Sequence, residues 1–230
     1  MLRGKVVLIT GANGGLGTVV TNAFLDARAS VAGTALSIQA SDFPRANFVA
    51  VPAEISSEAQ ATDLVHRVLA RSGRLDALVH LVGGFAGGTT VAETDHSTFA
   101  RMFQTNLDPF FFLARAVMPV MQKQGGGRLL AIGSRTVLEP AATLGAYSAS
   151  KAALVSLVRT IALEGRNHGI SANVLLSGTK DTPANRTAMP QAARAKWVQP
   201  AQVAAMLVHL ASDTASQVSG AVIPIYGSEV

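Results

Sequence analysis

Tyr147 and Lys151 stand four residues apart in the run Tyr147-Ser148-Ala149-Ser150-Lys151. On a helix that spacing puts both side chains on one face. An ammonium beside a phenol stabilises the phenolate and lowers its pKa from about 10, which suits a general acid or base. The same spacing also arises as an exposed helix pair with no chemistry. Ser134 lies thirteen residues before Tyr147, after the apolar run GRLLAI. A hydroxyl there can polarise a substrate carbonyl, because open α/β sheets place ligands at the C-terminal ends of their strands. A turn or cap serine is the plainer reading of the same residue. Asn106 falls inside a helical stretch, where asparagine is a poor choice unless its amide joins a polar network. An exposed surface amide is the alternative. Finally, Thr10-Gly11-Ala12-Asn13-Gly14-Gly15-Leu16-Gly17 follows a strand-like run and opens a helix. Glycines there permit a tight turn and close approach of a pyrophosphate, and a helix N-terminus offers that anion unpaired N–H groups. The spacing is not GxGxxG, and a purely structural strand-to-helix turn uses glycines too.

These residues need elements to position them. Apolar, β-branched runs predict strands at 5–10, 30–34, 47–51, 76–81, 127–132, 170–176 and 221–225. Helical periodicity predicts helices at 15–28, 57–71, 97–124, 146–168 and 200–212, the third bent or interrupted near Pro109. Ser56 or Ser57 caps the second helix, and Gly169 stops the fourth. Runs such as VVLI and LVHLV lack polar alternation, as in strands covered on both faces. The alternation predicts an α/β fold: one doubly wound, Rossmann-type domain over 1–230, with a mostly parallel seven-stranded sheet and helices on both faces.

Composition narrows the function. The chain is 49% hydrophobic and only 14% charged, which excludes a disordered protein. It has no cysteine, so disulfide scaffolds and thiolate metal sites are excluded. No run of about 18 apolar residues occurs, so no membrane span is expected. The N-terminus runs straight into a strand without the apolar region of a signal peptide, and a cytoplasmic location is expected. Net charge is +5, but the 19 lysines and arginines are scattered and aromatics are only 5%. A nucleic-acid partner is therefore not expected.

Together these motifs resemble the short-chain dehydrogenase/reductase family over residues 4–228. TGANGGLG is similar to the family's TGxxxGxG, and Asn106, Ser134, Tyr147 and Lys151 fall on its catalytic tetrad in order and spacing. Ser177-Gly178-Thr179-Lys180-Asp181-Thr182 is similar to PGxxxT, with serine replacing proline. The resemblance implies hydride transfer between a nicotinamide and a carbonyl or alcohol carbon. Tyr147 would protonate the carbonyl oxygen and Ser134 would hydrogen-bond it. Lys151 would lower the Tyr147 pKa and hold the ribose. Asn106 would hold a water linking Lys151 to solvent. The implied dinucleotide site comprises Gly11, Asn13, Gly14, Gly15, Leu16, Gly17, Thr34, Glu54, Ile55, Gly83, Gly178 and Thr182, with Tyr147 and Lys151. The chain departs from the family at His80-Leu81-Val82-Gly83, where NNAG is usual. His80 is expected to pack in the strand, and no metal site is expected, because the other histidines show no ligand spacing.

Ala35 occupies the position where an acid would select NAD. Thr34 and Ser37 can donate to a 2′-phosphate, so NADP is favoured over NAD although no basic partner is present. The carbonyl substrate is open: a 3-oxoacyl thioester is the first guess. A second resemblance, to quinoid dihydropteridine reductase, rests on Gly83-Gly84-Phe85-Ala86-Gly87-Gly88 and on a short lid over 181–197 containing DTP, NR, MP and Trp197. A non-catalytic dinucleotide sensor is the alternative from another class. Family habit and the apolar residues Phe110, Phe111, Phe112, Leu154, Val155, Leu157 and Val158 predict a homotetramer, or a homodimer, built on the two long helices.

Overall fold

The computed structural model describes residues 1–228; residues 229 and 230, part of the expected 1–230 domain, lie outside the described residues. Seven parallel strands form one sheet in the order β3-β2-β1-β4-β5-β6-β7. They are β1 (Val6–Thr10), β2 (Ser30–Thr34), β3 (Phe48–Ala50), β4 (Ala77–His80), β5 (Gly127–Ser134), β6 (Ile170–Ser177) and β7 (Val222–Ile225). The order reverses between β1 and β4, which opens a crevice beyond their C-terminal ends.

Both faces of the sheet are covered, which explains the unbroken apolar runs. On one face, β1 and β4 send Leu8 and Leu78 against α2 (Glu58–Ser72), α4 (Asp108–Gln124) and α5 (Gly145–Gly165). On the other, Val7, Ile9 and Val79 meet α1 (Gly17–Asp26) and α7 (Pro200–Ala211). Ser57 caps α2, accepting from the Gln60 amide at 3.3 Å.

The expected single helix over 97–124 is two helices. α3 (His96–Asn106) stops at Leu107, whose φ of −116° departs from helical geometry, and α4 starts afresh. Pro109 is responsible: it has no N–H to give, and its ring clashes with the carbonyl four residues back. The break leaves Asn106 as the last residue of α3, buried against α5. α5 likewise ends earlier than expected, at Gly165, and a 3₁₀ turn (Arg166–His168) carries the chain to Gly169. β5 and β6 run longer than expected, so that Ser134 and Ser177 close them side by side in register.

The apolar residues expected at a subunit interface are largely spent inside. Phe110, Leu154, Val155 and Val158 are buried in the chain's own core, while Phe112 and Leu157 pack partly against it. Of that set only Phe111 remains well exposed. Among the described residues no helix is long and apolar enough to cross a membrane.

Candidate active site

The glycine turn leaves β1 at Thr10 and reverses at once. Gly11 has a φ of +65°, and its carbonyl accepts from the Gly14 amide at 3.1 Å. A side chain at Gly17 would run into that same carbonyl, so the turn closes only with glycine there. No side chain caps α1; the Thr18 amide closes on the Gly14 carbonyl at 2.8 Å. Thr182 lies directly over it: a Cβ at Gly15 would stand 3.1 Å from the Thr182 Cβ. The turn thus leaves its backbone bare of side chains at Gly14, Gly15 and Gly17, as close approach of a pyrophosphate requires.

The other expected dinucleotide residues follow the C-terminal ends of neighbouring strands. Thr34 ends β2, fully buried, with a hydroxyl that has no hydrogen-bond partner. Its burial sets it away from the surface position where a 2′-phosphate donor was expected. Glu54 is exposed and Ile55 half-buried just beyond β3. Gly178 is buried, its amide donating to the Ile225 carbonyl. Asn13 is committed differently: its amide donates to the Asp42 carboxylate at 3.1 Å, which also accepts from the Gln39 amide. Nothing in the sequence spacing placed Asp42 beside the turn.

The tetrad candidates come together at the ends of β4 and β5. Ser134 ends β5, and its hydroxyl accepts from the Thr136 hydroxyl at 3.0 Å. Tyr147, in the first turn of α5, is half-buried beside Ser134. Lys151, one turn on, is buried, and its ammonium donates to the Ile132 carbonyl at 3.0 Å. Asn106 works as a latch. Its Oδ1 accepts from the Gly84 amide at 2.8 Å, and its Nδ2 donates to the Ser150 hydroxyl at 3.0 Å. Ser150, not singled out in the sequence, in turn donates to the Tyr147 carbonyl. Gly83 fits between: a Cβ there would meet Asn106 Oδ1 at 2.9 Å and Lys151 Nζ at 3.0 Å.

The electrostatics differ from expectation. In this chain burial raises the Tyr147 pKa above its ordinary value, and only the Ser134 hydrogen bond opposes it. The expected lowering by Lys151 is absent because Lys151 is itself depleted of charge. Burial, and then repulsion from Lys180, push its pKa down to about 7. His80 packs as expected for a strand residue. It is buried, shares a 3.0 Å hydrogen bond between its Nδ1 and the Thr10 hydroxyl, and tilts against Phe110. Burial holds it neutral, with a pKa of about 3. Thr10 also accepts from the Leu81 amide, so the pair ties the glycine turn to the end of β4. Among the described residues no group of three or more His, Asp or Glu is arranged to hold a metal.

At the mouth, Phe85 is exposed and sets its ring edge-on to Tyr147, with centroids 5.0 Å apart. Beyond β6, α6 (Pro183–Ala188) is capped by the Thr182 hydroxyl, and Asp181 is clamped by Arg186 at 2.6 and 2.8 Å. Trp197 is buried and closes this segment.

A family model described as short chain dehydrogenase matches residues 5–193. The 2,3-dihydro-2,3-dihydroxybenzoate dehydrogenase of Escherichia coli (strain K12) is 31% identical, over 94% of this chain and 93% of its own length. A 3-oxoacyl-(acyl-carrier-protein) reductase of Salmonella typhimurium is 29% identical, over 98% of this chain and 97% of its own. The solved structure of ElxO with NADP bound superposes with a TM-score of 0.91 at 24% identity, covering 97% of each chain.

Proposed function

The chain belongs to the short-chain dehydrogenase family and is therefore an oxidoreductase, and we propose that it transfers a hydride between NAD(P) and a carbonyl or alcohol carbon of a small molecule. The observation that carries this reading is that Tyr147, in the first turn of α5, is brought to the Ser134 hydroxyl at the carboxyl edge of the sheet, with Lys151 buried one turn behind and bonded to the Ile132 carbonyl.

A dinucleotide would rest its pyrophosphate on the turn from Gly11 through Asn13, Gly14, Gly15 and Leu16 to Gly17. Thr34, Glu54 and Ile55 would lie towards the adenosine, and Gly83, Gly178 and Thr182 towards the nicotinamide. When bound, the nicotinamide supplies or accepts the hydride. Tyr147 passes a proton to the carbonyl oxygen, and Ser134 donates a hydrogen bond to that oxygen as it gains charge. Lys151, whose pKa burial and Lys180 lower to about 7 in the ligand-free chain, would draw a proton from solvent as negative charge develops at the phenol, and as an ammonium would favour the phenolate. Asn106 positions, holding the Gly83–Gly84 backbone against Lys151.

The absence of an acid at Ala35 supports NADP. NAD is the second reading, favoured by the Asp42 carboxylate beside Asn13. For the substrate, a 3-oxoacyl thioester is the first candidate, since a reductase of that class is among the relatives. A quinonoid pterin is the second, favoured by the Phe85 ring at the mouth and the short 181–197 segment acting as a lid. Phe111 and Leu163 remain exposed on α4 and α5 and support association of copies as a homotetramer or homodimer.

NADPH and NADH oxidation against a 3-oxoacyl thioester, a quinonoid dihydropterin and simple ketones tests the reading. Turnover with any of them is expected. Dinucleotide binding without turnover on any carbonyl or alcohol would favour a sensor instead.

A further inference from the structure

Lys180 has no role in the reaction drawn above, yet its side chain reaches the strand end next to Ser134. It sits between β6 and α6, and its ammonium turns back to donate to the Ser177 hydroxyl at 3.5 Å. Ser177 is the register partner of Ser134, so this cation stands one strand from the hydroxyl pair. It is also near enough to Lys151 to depress that residue's pKa by repulsion. Lys180 keeps partial contact with solvent, although burial around it lowers its own pKa as well.

Two ammonium groups therefore converge on one crevice, and no carboxylate answers them. Asp181, the adjacent acid, is turned to Arg186. Glu139, the acid following Ser134, is held by Arg135. Among the described residues neither Lys151 nor Lys180 has an ion pair. Placing a part-exposed ammonium beside a buried one without a counter-ion is unfavourable, so both pKa values fall, and an anion bound between them would restore their charge. The dinucleotide's pyrophosphate is a poor answer for Lys180, because the residue laid over the glycine turn is Thr182. The remaining source of negative charge is the substrate.

We propose that Lys180 is a specificity-determining residue that pairs with a carboxylate on the substrate, so that the chain acts on small carbonyl or alcohol compounds bearing an acid group close to the reacting carbon. This rests on the oxidoreductase reading and narrows it, away from the uncharged surroundings of a thioester carbonyl. A Lys–carboxylate pair formed in a water-poor site discriminates strongly against the neutral analogue, because the analogue leaves the cation unpaired.

The test uses benzoate and benzamide as a matched pair of probes, titrated by calorimetry into the full chain with and without saturating NADP or NAD. Benzoate is expected to bind at least roughly tenfold tighter than benzamide. Lys180→Met should abolish that preference while leaving benzamide and dinucleotide affinities within about threefold, and Lys180→Arg should retain it. The Arg variant and the wild-type preference keep the test decisive if the Met variant does not fold. Equal affinity for the two probes, or a preference that survives Lys180→Met, overturns the proposal. So does loss of dinucleotide affinity in Lys180→Met, which would assign the cation to the cofactor's phosphates. Failure of both dinucleotides to bind would instead strike the oxidoreductase reading, and the dinucleotide-free arm still reads Lys180.

Discussion

At the scale of residues, the proposed reaction assigns proton transfer to one phenol. Tyr147→Phe removes the acid and keeps the ring that packs on Phe85. Its turnover is expected to fall by roughly 100-fold to 10,000-fold, with dinucleotide affinity unchanged by fluorescence titration. The buried lysine makes a second, independent prediction. In the folded, ligand-free chain Lys151 has a pKa of about 7 against an ordinary 10.5. Between those values the unfolded chain holds a proton that the folded chain lacks. Folded stability therefore rises with pH across that window and is lost as pH falls through it. Lys151→Met should flatten the rise, giving a smaller Tm gain between pH 7 and pH 10 than the wild type, with Lys180 left to titrate in the same direction. An unchanged slope would refute the charge depletion. The Tyr-Lys spacing was legible in the sequence, but the sign of the Tyr147 shift was not. Helical spacing says that two side chains share a face; it does not say how much protein surrounds them, and burial is the larger effect here.

At the scale of elements, the glycine turn and the helix break set the geometry. Gly17→Ala places a methyl group against the Gly11 carbonyl. The turn must open, at a cost of about 1–3 kcal/mol. Thermal melting should drop by several degrees, and dinucleotide affinity should fall together with it. A variant that melts and binds like the wild type would show that the turn has slack. The requirement for glycine was legible from a strand running straight into a helix. The break at Leu107 was only half legible. Pro109 marked the place, but the consequence, that Asn106 becomes a buried helix terminus latched to Gly84 and Ser150, depends on three segments distant in sequence. Asn106→Ala removes one buried partner from each and should destabilise the fold by about 1–3 kcal/mol in denaturant titration.

At the scale of the molecule, the apolar residues of the long helices divide between core and surface. Most of the apolar residues on α4 and α5 serve the chain's own core, leaving Phe111 and Leu163 outward. Light scattering should give about four, or two, times the 23.7 kDa chain mass at micromolar concentration. A monomer would overturn the proposed assembly. Both substitutions Phe111→Glu and Leu163→Glu lie on the surface, so each should change monomer stability by no more than about 0.5 kcal/mol. If those side chains sit between copies, the measured mass should fall.

The layered α/β fold and the turn that ends β1 were legible in the sequence, because local periodicity and short spacing are converted directly into geometry by the backbone. The four tetrad positions were legible only through their resemblance to a reductase family. Tertiary structure alone decided that Asp42 meets Asn13, that Ser150 links Asn106 to Tyr147, and that Lys180 crowds Lys151. Those pairings join segments whose separation in sequence carries no period. They exist only because parallel strands bring their carboxyl ends to one edge, where charge and burial, rather than spacing, fix what each side chain can do.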